Sequence, residues 1–324
     1  MADETQPAPT GAAPAPTAAL DEAAGAPVPG TGRPGALSPE DEAALAEAVR
    51  ALEGTSFAAN LSGLVGRQLG FAGDLLPPRV TEVANRAAGT ALRVALRGAV
   101  RSLDGEGRPP RNRFHLAAVA ATGAVGGALG LASLPVELPL STTLILRSVA
   151  DIARAAGEDL DDPAAVLSCL EVFALGEGGG AMLGESSYFA VRALLAKSVT
   201  EAARHALTRG LADEAAPVLS RLIGQIASRF GLVVSQKVVA QAVPVVGAVT
   251  GAGINAAFMD HYQKLARGHF AVRRLERTYG PELVRAAYDR LRAEHAPAAA
   301  PGAEAAFGPK AAFASLMNGL HRSP

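Results

Sequence analysis

Residues 116–134, LAAVAATGAVGGALGLASL, carry no charged side chain. A run of this length has to be shielded by packing or by lipid, and as a helix it is nominally long enough to cross a bilayer. Its content points to a weaker role, because only six of its residues are Leu or Val and most of the rest are Ala and Gly, which leaves insertion energetically marginal. The glycine spacing says more. Gly123 and Gly127, overlapped by Gly126 and Gly130, stand four residues apart, so each pair falls on one helix face where the missing Cβ lets two backbones approach closely. A second segment, VPVVGAVTGAGINAAF, repeats the device with Gly247 and Gly251. Two readings stay open: core helices packed on each other, or faces that meet lipid or a second copy of the chain.

The neighbourhood of the first run sharpens these readings. Pro135 and Pro139 are read as a break after it, with a further helix over about 140–156. That helix carries Arg147, Asp151 and Arg154, which argues against a plain two-span hairpin. Ahead of the run, residues 80–103 predict a helix in which Arg86, Arg93, Arg97 and Arg101 are seven, four and four apart and share one face. Val83, Ala87, Val94 and Val100 are assigned to the other side. The basic face is either simply solvated or attracted to anionic lipid headgroups. The second reading draws on position, since an Arg-rich stretch precedes the apolar run as the positive-inside rule expects for a cytoplasmic start.

Elsewhere the apolar content, 49% of the chain, is mostly Ala, Leu and Val, with 4% aromatics and no Trp; this favours helices over strands. Residues 1–36 are rich in Ala, Pro, Thr and Gly and are expected to be a disordered tail. Ser38, Pro39 and the acids Glu40, Asp41 and Glu42 form a helix start, so a helix over about 39–53 is predicted, stopped at Gly54. Further helices are predicted from Pro163, capped by Asp161 or Asp162, and over 188–208, 215–239, 252–277 and 281–295. The expectation is an all-α, multi-helix bundle over residues 37–295, its two Gly-rich apolar helices packed centrally, with a mobile C-terminal tail at 296–324.

Several functional classes fall away. A net charge of −1 is unlike a nucleic-acid binder. Cys169 stands alone, which excludes an intramolecular disulfide, a CxxC pair and a cysteine-rich zinc site. The N-terminal stretch has no basic-then-apolar signal pattern, so a cytoplasmic setting or the membrane's inner face is expected. GEGGG at 176–180 is followed by no GK[ST], and neither GxSxG nor HExxH occurs. His261 and His269, beside Asp260, are eight residues apart with Lys264 and Arg267 between them, and are read as structural or solvated rather than metal-binding. No cofactor is expected. The polar residues with most to explain are Glu137, set between two prolines after the uncharged run, and Asn255 in the second Gly-rich segment. Arg147 and Asp151 are the expected partners of Glu137, giving a candidate polar cluster of Glu137, Arg147, Asp151 and Asn255.

Four separated blocks, in order, carry a family likeness: LSPEDEAALAEAVRALEG (37–54), GLASLPVELPLSTTLILRSVADIARAAGEDL (130–160), CLEVFALG (169–176) and SRFGLVVSQKVVAQAVPVVGAVTGAGINAAFMDHYQKLARGHFAVRRLERTYG (228–280). With these the chain resembles the EcsC protein family from about residue 37 to 292. The family is named for a bacterial protein encoded beside an ABC transporter, so the resemblance implies a membrane-associated or transport-linked role. It supplies no accepted catalytic motif, and no residue is assigned on its strength. Three readings follow: a non-enzymatic protein at the cytoplasmic membrane face or in a membrane transport complex; a soluble hydrolase or ligand-binding protein with a pocket among Glu137, Arg147, Asp151, Asn255, Asp260 and His261; and a cytoplasmic scaffold that self-associates through its GxxxG faces.

Overall fold

A computed structural model describes residues 36–54, 57, 78–102, 134–175, 187–211, 216–242 and 247–295. Among these residues the chain is all-α: helices α1 (Pro39–Leu52), α2 (Pro78–Ser102), α3 (Leu134–Ala155), α4 (Pro163–Glu171), α5 (Ser187–Arg209), α6 (Pro217–Ala242), α7 (Gly247–Tyr279) and α8 (Pro281–His295), with a 3-10 turn, Val172–Ala174, after α4. The expected tails, the run 116–134 with Gly123 and Gly127, and the GEGGG loop lie outside the described residues, apart from Ala36 and from Leu134, which opens α3.

Local chemistry sets the helix ends. Ser38 Oγ accepts a hydrogen bond from the Asp41 amide at 3.1 Å, and Pro39 occupies the first turn, where its missing N–H costs nothing. Asp162 caps α4 in the same way, accepting from the Ala164 amide at 2.9 Å. α7 stops at Gly280, whose φ of +86° is a left-handed conformation that glycine adopts without strain, and Pro281 opens α8. One expected boundary is corrected. The prolines at 135 and 139 do not break the chain, because α3 begins at Leu134 and runs through both. Pro135 sits in the first turn, and Pro139 forfeits only the hydrogen bond to the carbonyl of residue 135.

The central helix α7 packs against α1, α3 and α8, while α2 lies on α6 and α3, and α5 on α4 and α6. Much of the small aromatic content gathers around α7. Phe173 meets Phe230 and Tyr262 at centroid distances of 5.0 and 4.9 Å, and Phe258 meets Tyr262 and Phe57 at 5.2 and 5.4 Å. These edge-on and tilted rings fill space that Ala and Leu leave open.

Small residues set how closely the other helices approach. α2 buries Ala84, Ala88, Ala91, Leu92, Ala95 and Leu96, so Val83 and Val94, expected on the apolar side, face outward at 64% and 37% exposure. The reason is shape. A Cβ at Gly231 of α6 would fall on Asn85 Oδ1 and 3.0 Å from the Asn85 Cα, and one at Gly89 would lie 3.7 Å from the Ala227 methyl. Small side chains let the two backbones come this close. Across the molecule, a Cβ at Gly268 of α7 would lie 2.9 Å from Leu52 Cγ of α1. Among the described residues one stretch, Pro217–Val238, is long and apolar enough to cross a membrane by length and composition, and more than half of it is buried inside the protein.

Candidate functional site

Three arrangements of polar residues stand out, and sequence reasoning anticipated parts of two. The first is the solvent face of α2. Arg86 and Arg97 are exposed, Arg93 is half-buried, and Arg101 falls in the last turn. At 100° per residue Val83, Arg86, Thr90, Val94 and Arg97 form one stripe, so the exposed surface alternates guanidinium groups with aliphatic ones. Glu82 pairs with Arg86 along this face. The opposite face is the alanine seam against α6, which fixes the stripe outward.

The second arrangement surrounds Glu137. Its carboxylate is 3% exposed and lies 3.0 Å from the ammonium of Lys237 on α6, which is fully buried. Lys237 Nζ also stands 4.9 Å from the Phe258 ring centroid on α7, a cation–π contact that is strongest when the cation is desolvated. Burial pulls the Lys237 pKa down, and the Glu137 charge offsets this only in part. Asn255, also buried, lies one turn before Phe258 on α7 and so shares its face. The structure therefore brings Glu137 near the α7 segment bearing Asn255 and adds Lys237. Arg147 is exposed, ten residues along the same helix from Glu137 and about 15 Å away at the rise of an α-helix. Asp151 pairs with Arg154 at 3.5 Å, and Asp260 with Lys264 at 2.6 Å on the surface. Of the glycines, Gly247 opens α7 and Gly251 is buried within it.

Only tertiary structure reveals the third arrangement, a hydrogen-bonded seam linking α4, α5, α7, α8 and the end of α1. Arg192 holds Glu276 with two hydrogen bonds of 2.8 and 3.1 Å and donates a third, at 3.3 Å, to the Tyr188 hydroxyl. That hydroxyl lies 3.1 Å from His269 Nδ1. Nε2 faces the Glu171 carboxyl at 3.9 Å, and both side chains are buried. Burial pushes Glu171 up to about 7 against the pull of Arg192 and Arg273, while burial, reinforced by the same two arginines, holds His269 well below its ordinary value. His269 is therefore neutral near pH 7, where Glu171 stands between its two forms.

Neighbouring contacts extend the seam. Glu53 accepts from the Tyr188 amide at 3.3 Å and from the Tyr288 hydroxyl at 3.0 Å, and Tyr188 and Tyr288 stack at 5.6 Å. Arg273 reaches Glu158 through two hydrogen bonds of 2.9 Å, and Arg277 joins the same carboxylate. Burial works to raise Glu158, but the two arginines outweigh it and hold the acid below its ordinary value. Cys169, buried close by, has its thiol pushed up by burial and by Glu158, which disfavours the thiolate. His261 packs its ring 5.3 Å from Phe57. With His269 fully buried and Tyr188 at 2% exposure, the centre of the seam is closed to solvent and ties the helices together. Among the described residues no group of three or more His, Cys, Asp or Glu could hold a metal ion.

Against known proteins, the family model described as the EcsC protein family matches residues 76–275. The match runs from just before α2 to Leu275 of α7, so it takes in the basic stripe, the Glu137–Lys237 pair and most of the seam. No curated protein and no solved structure matches the chain.

Proposed function

The chain belongs to the EcsC protein family, and from that premise we propose that it is a helical docking protein rather than an enzyme, held at the anionic cytoplasmic face of a membrane by the outer face of α2. The observation that carries this reading is the stripe itself. Arg86 and Arg97 are exposed beside Val83 and Val94, on a helix whose other face is locked into the core. Guanidinium groups attract lipid phosphates over about one Debye length, and the intervening aliphatic groups gain from burial at the headgroup boundary. The uncharged run that follows α2 in sequence supports the same orientation.

Co-sedimentation with vesicles tests it. The protein is expected to bind vesicles containing phosphatidylglycerol, to bind pure phosphatidylcholine far less, and to be released by salt. Each basic residue near such a surface contributes about 1 kcal/mol, so Arg86→Gln with Arg97→Gln lowers partitioning roughly thirty-fold. Circular dichroism identical to the parent would show that the fold survives. Equal binding to both lipids, or no binding to either, rejects the reading.

A further inference from the structure

A Cβ at Gly98 of α2 would lie 3.1 Å from Thr143 Cγ2 of α3, so the two helices touch at this turn. They also run in the same direction. Asn85 meets Gly231 and Gly89 meets Ala227, which makes α2 antiparallel to α6. Phe230 meets Tyr262 and Lys237 meets Phe258, which makes α6 antiparallel to α7. Ser148 of α3 and Ala156 just after it bond to Gln263 and Arg277 in the same order, which makes α3 parallel to α7 and hence to α2. At 100° per residue Gly98 lies roughly 80° to one side of the stripe centred on Thr90, and Thr143 lies roughly 50° to the opposite side of the line through Leu140 and Arg147. For two parallel helices in contact, that opposition turns both exposed stripes to the same side of the molecule.

The chemistry on the two stripes matches. Within one turn of the contact stand two partly exposed aliphatic side chains, Val94 at 37% and Leu140 at 46%, and two exposed arginines, Arg97 and Arg147. No Asp or Glu occurs from Val83 to Gly98 or from Leu138 to Ala150. We infer that the docking surface is a platform of two helices, in which α3 sets Leu140 and Arg147 beside Val94 and Arg97 of α2, and that its occupant is anionic lipid. The inference rests on the docking function proposed above and goes further by bringing in a second helix and setting Leu140 at the headgroup–acyl boundary. Charge decides the occupant. A second copy docked on the same face would set arginine against arginine with no acid between them. A bilayer offers phosphates to the guanidinium groups and an apolar layer to the aliphatic pair.

Vesicle binding by the full-length chain tests this with single variants. Arg147→Gln is expected to lower partitioning into phosphatidylglycerol vesicles about fivefold, as Arg97→Gln does. Arg285→Gln removes the same charge from an exposed site on α8, a helix that packs on α1 and α7, and should change partitioning by less than about twofold, since a charge away from the surface is screened. The native thiol of Cys169 is buried and does not compete for label, so an environment-sensitive dye is placed at Leu140→Cys and, as a control, at the exposed Ala286→Cys on α8. The dye at 140 is expected to shift to the blue on phosphatidylglycerol vesicles, and the dye at 286 to stay unchanged. Binding that falls with Arg97→Gln but not with Arg147→Gln, with an unshifted dye at 140, overturns the platform and leaves docking by α2 standing. An equal loss with Arg285→Gln assigns binding to net charge and overturns the platform too. Absence of vesicle binding overturns both proposals. A shift at 140 that grows with protein concentration without lipid marks a contact between copies of the chain, and overturns lipid as the occupant.

Discussion

The Glu137–Lys237 pair and the seam around His269 both bury charge, and they do so by opposite means. In the seam partners are shared: Arg192 serves Glu276 and Tyr188, and Arg273 and Arg277 converge on Glu158. The groups left closest to one another, Glu171 and His269, are both driven toward neutrality. At the other site one carboxylate meets one ammonium, backed by an aromatic face. A seam with several charged groups tolerates the loss of one because neighbouring charges remain, whereas removing one member of a buried ion pair leaves the other charge desolvated and less compensated. Buried charge is thus a different kind of constraint in the two places, and single substitutions should tell them apart.

The largest difference is expected at the Glu137–Lys237 pair. Lys237→Met should destabilise the protein by about 3–5 kcal/mol in urea denaturation, by removing the ammonium that compensates the buried Glu137 carboxylate. Lys237→Met combined with Glu137→Leu should recover most of that loss, since replacing both members of a buried pair with apolar groups is often neutral. A double variant as unstable as the single one would show that the charges themselves, and not their pairing, matter.

Next comes the pH dependence of the seam. Glu171, with a folded pKa of about 7 against its ordinary 4.5, binds its proton more tightly in the folded state. Its contribution is complete below pH 4.5 and is lost as pH rises through 7, a total of about 3 kcal/mol. His269 runs the other way. Its folded pKa lies well below the ordinary 6.5, so stability is lost as pH falls below 6.5, where only the unfolded chain takes up the proton. The two slopes oppose each other between pH 4.5 and 6.5, and the parent protein should be nearly flat there with respect to these groups. Glu171→Gln should expose the histidine's slope, with stability falling on acidification. His269→Gln should expose the glutamate's, with stability falling as pH rises. Parallel curves for both variants and the parent would mean that neither group is perturbed.

Smaller effects separate the tight helix contacts from the open surface. Gly231→Ala should cost about 1–3 kcal/mol, because its methyl group meets Asn85 backbone and side chain. Gly224→Ala, seven residues earlier on the same helix with nothing within 4 Å of a new Cβ, should stabilise by about 0.5–1 kcal/mol through helix propensity. Smallest of all, Arg86→Ala on the open face of α2 should change stability by less than about 1 kcal/mol, since its partner Glu82 is itself 60% exposed. Thermal denaturation of the three variants side by side checks this order.

The helical class, the starts at Ser38–Pro39, Asp162–Pro163 and Pro281, and the common face of Arg86, Arg93 and Arg97 were legible in the amino-acid order, because caps, prolines and 3.6-residue periodicity act within a turn or two. So was the need to compensate Glu137. Its partner was not legible, since Lys237 lies a hundred residues away and carries no local sign of burial. Val83 and Val94 were misplaced for a related reason. Periodicity divides a helix into two sides, but which side turns inward was decided by the fit of Ala and Gly against α6, where the small face wins. His269 read only as a structural or solvated histidine eight residues from His261, and folding set Tyr188 and Arg192 on one side of it and Glu171 on the other. What the sequence alone determined is the set of helices and the charge they carry, since these follow from interactions between near neighbours. Which charges are buried together, and which apolar groups are left facing out, was decided by packing between segments far apart in the chain, and only the tertiary structure contains that.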